Sequence, residues 1–373
     1  MKTKTITYHA SLNNGSFFQA YALQKTIMEL GHDNEILDIQ TPELKRDYAL
    51  FQKINSVGSL IRNIISLLHY SKLKTRKKKF EQARQKYLVM TNEYESLEEY
   101  FRDNGHDDSL FIAGSDQIWN TKASDFTTDY MLPGVENKIA YSVSGGSKIC
   151  GTDLQPYLDD IKSFRYISVR EPDLMGILNE LYIENVYVTL DPTLLLVRDA
   201  YQPFISATPL ISGKYIFLYT VKCEPEVLKA AKRLSKQLNM PVYTLFNTYR
   251  SEKNRLYGLK TIYNYGPEDF LNIVKNAELV LSDSFHGNVF SIILEKNFYY
   301  LSSVDEFGNM VEDDRIDGLL KQIGLIDRKI ATNQSIETFN YDREISYISV
   351  NKSLTDMRKH SVAYLNSSIS FVF

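Results

Sequence analysis

Leu279-Val280-Leu281-Ser282-Asp283-Ser284-Phe285-His286-Gly287 begins as a run of strand type, breaks into small polar residues, and then enters a helix-period stretch from Phe285 to Glu295. Strand, short polar turn and helix, in that order, form the unit from which parallel sheets are built. Asp283 or Ser284 is placed to cap the helix, so His286 falls in its first turn. The carboxyl end of a strand there meets the unpaired N–H groups of a helix start, which together attract anions and can present an imidazole to them. A lone histidine is usually structural, bonded to a neighbouring loop. Here Asp283, Ser284 and Gly287 let a ligand come close to the backbone and favour the functional reading.

The same unit recurs outward from this stretch. Upstream lie strand-type runs Tyr215 to Val221 and Val242 to Phe246 and helices Glu224 to Leu238 and Pro267 to Ala277, and downstream the strand Phe298 to Leu301. Toward the amino terminus, Lys4 to Tyr8 leads through Asn13-Asn14-Gly15-Ser16 into a helix bearing Phe17, Ala20, Leu23 and Ile27 at helical spacing before Gly31. Glu35 to Ile39, Leu110 to Ala113, Lys138 to Val143, Tyr166 to Val169 and Val186 to Leu190 are further strands. The fold class is α/β. Gln202 to Gly213, punctuated by Pro203 and Pro209, reads as a linker. The expected organisation is an N-terminal α/β domain over 1–205 with a helical insert at about 43–105, a C-terminal α/β domain over 206–340, and a last segment, 341–373, whose helix packs back on the first domain. Two such domains would turn the carboxyl ends of their sheets toward one cleft.

Composition excludes several classes. With 373 residues, 43% of them apolar and 24% charged, the chain is neither disordered nor fibrous. Lys plus Arg number 43 against 46 Asp plus Glu, a net charge of -3, so there is no global basic field for a nucleic-acid backbone. Cys150 and Cys223 are too far apart for a zinc ribbon or a redox pair. The first residues lack the apolar core of a signal peptide and no run approaches membrane-spanning length, so the reading is a cytoplasmic protein. No His-Glu-x-x-His, Cys-x-x-Cys or Asp-x-Asp pattern is present, and no metal is expected.

Composition changes sharply within the insert, from Leu60, Ile61, Ile64, Ile65, Leu67 and Leu68 to Lys72, Lys74, Arg76, Lys77, Lys78 and Lys79. One reading is a helical hairpin with a solvated charged face. The other is a patch drawn to an anionic membrane at its inner face, or to a phosphorylated lipid-linked acceptor.

Other loops at strand ends supply further candidates: Asn14-Gly15, Asp116 within Gly114-Ser115-Asp116-Gln117, Ser144-Gly145 within Ser144-Gly145-Gly146-Ser147, and Arg170-Glu171. None matches a dinucleotide or Walker fingerprint, so at Asn14-Gly15 and Gly145-Gly146 a plain strand-to-helix turn competes equally with a phosphate cradle. Arg170 and Arg315 are suited to bidentate contact with carboxylate or phosphate, although Glu171 and Asp314 beside them also suggest ordinary ion pairs. Trp119 reads as a packing anchor.

Taken in order, Asn14-Gly15-Ser16 with Gln19-Ala20-Tyr21-Ala22-Leu23-Gln24, Ala113 to Asn120, Ile167 to Glu171, Leu190 to Leu195, Ser282 to Gly287 and Asp314-Arg315-Ile316 resemble the polysaccharide pyruvyl transferases over roughly residues 8 to 327. The resemblance implies a GT-B-like pair of Rossmann-like domains facing a cleft. It also implies transfer of a pyruvate ketal from phosphoenolpyruvate, used as donor substrate without a cofactor, to a sugar of a surface polysaccharide, capsule or lipid-linked repeat unit. His286 then corresponds to the family's catalytic histidine, a general acid. Arg170 and Arg315 become anion-binding candidates, with Asp283 and Ser284 at the same helix start. Asn14, Gly15, Gln19, Asp116, Ser144 and Gly145 fall to the acceptor side. A saccharide or lipid-linked acceptor is the expected partner, nucleic acid is not, and a homo-oligomer is compatible. Some members carry Arg-Leu-His where this chain has Ser284-Phe285-His286, so one donor-contacting arginine is missing. Two alternatives accompany this reading: a glycosyltransferase using a nucleotide sugar, and a noncatalytic saccharide-binding homologue.

Overall fold

Each strand-type run named above forms a strand in a computed structural model of the chain, which describes residues 1–146, 148–305, 307, 309–311, 313–332, 341 and 343–370. The first sheet comprises β1 (Lys2–Ile6), β2 (Asp33–Ile39), β3 (Met90–Tyr94), β4 (Leu110–Gly114), β5 (Lys138–Val143), β6 (Ile167–Val169) and β7 (Val186–Val188). The second comprises β8 (Ile216–Tyr219), β9 (Val242–Leu245), β10 (Lys260–Ile262), β11 (Leu279–Ser282), β12 (Phe298–Ser302) and β13 (Lys329–Ala331). All their pairings are parallel.

Strand order is β3-β2-β1-β4-β5-β6-β7 in the first sheet and β10-β9-β8-β11-β12-β13 in the second. Both follow the doubly wound pattern, in which the connections reverse direction between the first and fourth strands and leave a crevice at their carboxyl ends. That point lies between β1 and β4 in one sheet and between β8 and β11 in the other. Central strands such as Leu110–Gly114, Ile216–Tyr219 and Leu279–Ser282 are buried along their whole length, as parallel strands covered on both faces must be.

The chain divides into two compact units, one of residues 1–49, 81–196 and 354–373, the other of 50–80 and 197–353. This departs from the expected partition in two places. Residues 197–205 group with the second unit, where Tyr201 is fully buried with its ring 5.3 Å from that of Phe290. Residues 50–80 also group there, because Leu73 buries against Phe246 and Tyr263 and Arg76 donates to the Phe246 carbonyl at 2.8 Å. The insert is not wholly helical either, since Met90–Tyr94 joins the first sheet as its edge.

The final helix is Tyr347–Ser370. Its residues from 354 group with the first unit, where Arg358 donates to the Leu194 carbonyl at 2.9 Å and Ser361 Oγ accepts from the Leu190 N–H at 3.0 Å. Ser147, Asn333, Gln334, Asp342 and the expected boundary at 340 lie outside the described residues. Among the described residues, no helix is long and apolar enough to cross a membrane, and no cluster of three or more His, Cys, Asp or Glu side chains is arranged to hold a metal ion.

Candidate functional site

In the second unit, β11 ends at Ser282, and the helix Phe285–Ile293 starts two residues later with Ser284 as its N-cap. The first intrahelical bond is donated by Asn288 to the Ser284 carbonyl, so the N–H groups of residues 285–287 precede the hydrogen-bonded ladder. Ser284 caps through its backbone and its hydroxyl makes no cap hydrogen bond. His286 is buried in this first turn, its ring 5.1 Å from Phe285 and perpendicular to it.

Gly287 is what brings the turn onto the sheet. A Cβ there would lie 2.2 Å from Ser282 Oγ and 2.7 Å from a Tyr219 ring carbon. Ser282 Oγ meanwhile donates to the Tyr219 carbonyl at 2.9 Å and accepts from the Ser284 N–H at 3.0 Å, tying β8, β11 and the cap together.

Asp283 is engaged within the protein. Its carboxylate accepts from the Thr220 hydroxyl at 2.7 Å and from the Val221 and Lys222 N–H groups at 2.9 and 3.3 Å, closing the loop after β8. Burial pushes this carboxyl up, against those three donors and the nearby Lys222 charge. Arg315 is likewise committed: its guanidinium makes a two-pronged contact with the carboxylate of Asp313, the N-cap of its own helix, Asp314–Gln322.

Lys222 was not singled out from the sequence. It is exposed at the carboxyl end of β8, across the strand reversal from His286, and its Nζ contacts the hydroxyl of Ser303, which follows β12. Asn247, after β9, reaches the same loop by donating to the Thr220 carbonyl at 3.1 Å. The available signal was positional: each residue directly follows a strand-type run, Lys222 that of β8, which neighbours Leu279–Ser282 in the sheet, and Asn247 that of β9, one strand further out.

In the first unit, the structure brings most of the expected acceptor-side residues together. The helix Asn14–Glu29 follows β1, with Asn13 as N-cap accepting from the Gly15 N–H at 2.8 Å. Asn14 and Gln19 are buried in it. The Gln19 amide donates to Thr7 Oγ1 and to the carbonyls of Tyr8 and Ser16, fastening the loop after β1 to the helix, while its Oε1 and the Oδ1 of Asn14 are buried without a protein partner. Asp116 sits after β4 in the left-handed backbone region at φ 63° and accepts from Ser16 Oγ at 2.6 Å.

Tyr8 and Asp125 adjoin Asp116 and were not selected from the sequence; Tyr8 donates to Asp125 at 3.2 Å. Burial, aided by the charges of Asp116 and Asp47, pushes the Asp125 carboxyl up.

Ser144, Gly145 and Arg170 serve the packing behind this edge. Ser144 is fully buried and its hydroxyl donates to Glu171. A Cβ on Gly145 would stand 2.6 Å from a methyl carbon of Ile149. Arg170 pairs with Asp191 at 2.9 Å, with side chains 3% and 0% exposed. Asp191 also caps the turn that follows it, accepting from the N–H and hydroxyl of Thr193.

The sequence profile for polysaccharide pyruvyl transferase matches residues 13–305, a span that runs from the N-cap of the first long helix to beyond β12. This chain belongs to the polysaccharide pyruvyl transferase family. Family membership assigns it to the pyruvyl-transferring enzymes of polysaccharide synthesis. No curated protein matches its sequence. Among solved structures it is similar to UDP-GlcNAc 2-epimerase from Neisseria meningitidis, bound to UDP-GlcNAc, at 12% identity and TM-score 0.46, over 98% of this chain and 93% of that one. It is also similar to the Methanocaldococcus jannaschii UDP-GlcNAc 2-epimerase at 13% identity and TM-score 0.46, over 96% and 92%. A third is Escherichia coli heptosyltransferase WaaC with ADP, at 9% identity and TM-score 0.40, over 96% and 100%.

Proposed function

We propose that this family member transfers a carboxyethylidene group from phosphoenolpyruvate to two hydroxyls of a sugar in a surface polysaccharide or lipid-linked repeat unit, with His286 as general acid. The observation that carries the proposal is the placement of His286 in a first helical turn at the β8–β11 strand reversal, beside unladdered N–H groups and facing a loop that bears Lys222.

Phosphoenolpyruvate is an enol ether. Protonation of its methylene carbon leaves positive charge on the adjacent carbon, which one sugar hydroxyl attacks; a second hydroxyl then displaces phosphate. One hydroxyl proton replaces that delivered to the methyl group, and the other leaves with phosphate. Such a site must hold a proton donor and bind a trianionic substrate. His286 meets the first need. Lys222, the N–H groups of residues 285–287 and the Ser284 hydroxyl meet the second. Because Arg170 and Arg315 are held by Asp191 and Asp313, Lys222 is the cation that stands in for the arginine missing at position 284.

The test is calorimetric titration of phosphoenolpyruvate into the wild type, His286→Ala and Lys222→Ala. Saturable binding, weakened at least tenfold in Lys222→Ala and retained in His286→Ala with loss of phosphate release, supports the reading. Absence of phosphoenolpyruvate binding together with saturable binding of a nucleotide sugar would replace it with glycosyl transfer.

A further inference from the structure

The helix Val57–Leu68 is built inside out. Its buried positions are Ser59 and Ser66, whereas Val57, Leu60, Ile61, Ile64, Leu67 and Leu68 are exposed, Val57, Leu67 and Leu68 by 74%, 68% and 73%. These apolar positions recur at intervals of three and four and so make one continuous stripe along the helix. Ile54, 61% exposed, and Phe51 extend it before the helix begins. A helix that spent its apolar residues on water would gain nothing from amphipathicity.

The helix is nonetheless firmly seated. Its Ser56 and Ser59 close a capping box, and Ile65 packs onto Leu73, Phe246 and Tyr263. The next helix, Tyr70–Tyr87, is anchored to the second unit by Arg76, by Lys79 on Asp269 at 2.8 Å, and at its approach by His69 stacked 4.1 Å from Tyr263. The outward stripe is therefore held in place on a fixed support.

Charge indicates what covers it. Immediately after the stripe, Lys72, Lys74, Lys77 and Lys78 are exposed, and among the described residues no carboxylate pairs with them. Lys72 and Lys74 lie over the rings of Tyr263 and Tyr70, which leaves their charge unneutralised, and an apolar stripe adjoining such lysines fits a surface that offers hydrocarbon beneath a layer of negative charge. We infer that the Val57–Leu68 helix lies in the interface of an anionic lipid bilayer, with the Lys72–Lys78 segment on the headgroups. A second protein copy would need an acidic, apolar counterpart to this basic patch. The inference does not depend on the reaction chemistry, and its test uses no phosphoenolpyruvate.

The experiment is co-sedimentation of the full chain with vesicles of phosphatidylcholine containing phosphatidylglycerol, and with pure phosphatidylcholine vesicles, at low and high salt, alongside light scattering of the lipid-free protein. Binding to the anionic vesicles that weakens with salt is expected. Leu60→Glu/Ile64→Glu should abolish it while the thermal melt is unchanged, since both positions already face water. Lys74→Ser/Lys77→Ser/Lys78→Ser should weaken it about a hundredfold, at roughly fivefold per lysine. No binding to anionic vesicles at low salt overturns the inference, as does equal binding by the double glutamate variant. A lipid-free dimer that Ile64→Glu converts to monomer assigns the stripe to a second copy and overturns it too.

Discussion

Replacing Gly287 by alanine adds a single methyl group at the point where the His286 turn rests on the sheet, and the structure allows the cost to be worked out. The new carbon would stand 2.2 Å from Ser282 Oγ and 2.7 Å from a Tyr219 ring carbon. The serine cannot turn aside freely, because it is fully buried and its oxygen bonds both the Tyr219 carbonyl and the Ser284 N–H. Moving it forfeits two buried hydrogen bonds at about 1 kcal/mol each, and overpacking contributes about 1–3 kcal/mol. Alanine's better helix propensity returns at most about 1 kcal/mol. A net loss of about 2–4 kcal/mol follows.

The internal control is Gly176 in the helix Pro172–Glu180, where a Cβ meets nothing within 4 Å; Gly176→Ala should gain about 0.5–1 kcal/mol. Urea unfolding followed by circular dichroism reads both. In a Ser282→Ala background the Gly287→Ala penalty should shrink by more than about 1 kcal/mol, since the 2.2 Å contact is gone and those to the Tyr219 ring at 2.7 Å and to the Cβ of residue 282 at 3.1 Å remain. If Gly287→Ala is as benign as Gly176→Ala, the close approach of this turn to β8 and β11 is wrong, and with it the argument that Gly287 positions His286.

Three further expectations are independent of this one. Breaking the buried Arg170–Asp191 pair by Arg170→Ala should cost about 3–5 kcal/mol, visible as a lowered unfolding midpoint; an unchanged midpoint would return Arg170 to the list of ligand-binding residues. Lys138 is fully buried with its ammonium donating to the Met131 and Leu132 carbonyls, and burial lowers its pKa to about 8 from 10.5. Between those values the unfolded chain binds more protons than the folded one, so stability should rise from pH 8 toward 10 by up to about 1.4 kcal/mol per pH unit. Lys138→Met should lack that slope, and a parallel pH profile in the two proteins would exclude the assignment. For Asp38, burial raises the carboxyl, but hydrogen bonding and charge from His9, with Gln40, carry it below its ordinary value. Its stabilising contribution is therefore present above the unfolded value near 4 and lost as pH falls through the folded one, so Asp38→Asn should flatten the acid limb of the denaturation curve.

The strands that could be read from the chain are those buried on both faces, where a parallel sheet demands unbroken apolar runs. Leu110–Gly114 and Leu279–Ser282 announce themselves for that reason. The three that escaped notice, Met90–Tyr94, Lys260–Ile262 and Lys329–Ala331, are edge strands that need little apolar residue; the first is largely open to solvent. His286 was legible because a strand, a small polar turn and a glycine surround it. Lys222 was not, because its significance depends on β8 lying beside β11, a pairing between residues far apart in sequence. The arginines show the converse. Arg170 and Arg315 have the right chemistry for an anion, but their partners Asp191 and Asp313 become visible only with the side chains in place.

By itself, then, the order of residues determined the α/β class, the doubly repeated strand-turn-helix unit, the family and the place of His286 in a first helical turn, since each rests on local periodicity or on motifs contiguous in the chain. Tertiary structure decided the partition of the insert, the commitment of Asp283, Arg170 and Arg315 to protein partners, and the outward face of Val57–Leu68. Those outcomes depend on which distant groups compete for the same charge or cover the same surface. Helical periodicity fixes that Val57–Leu68 has an apolar side, but only the packing of Ile65 and Arg76 against Phe246 determines which side meets water.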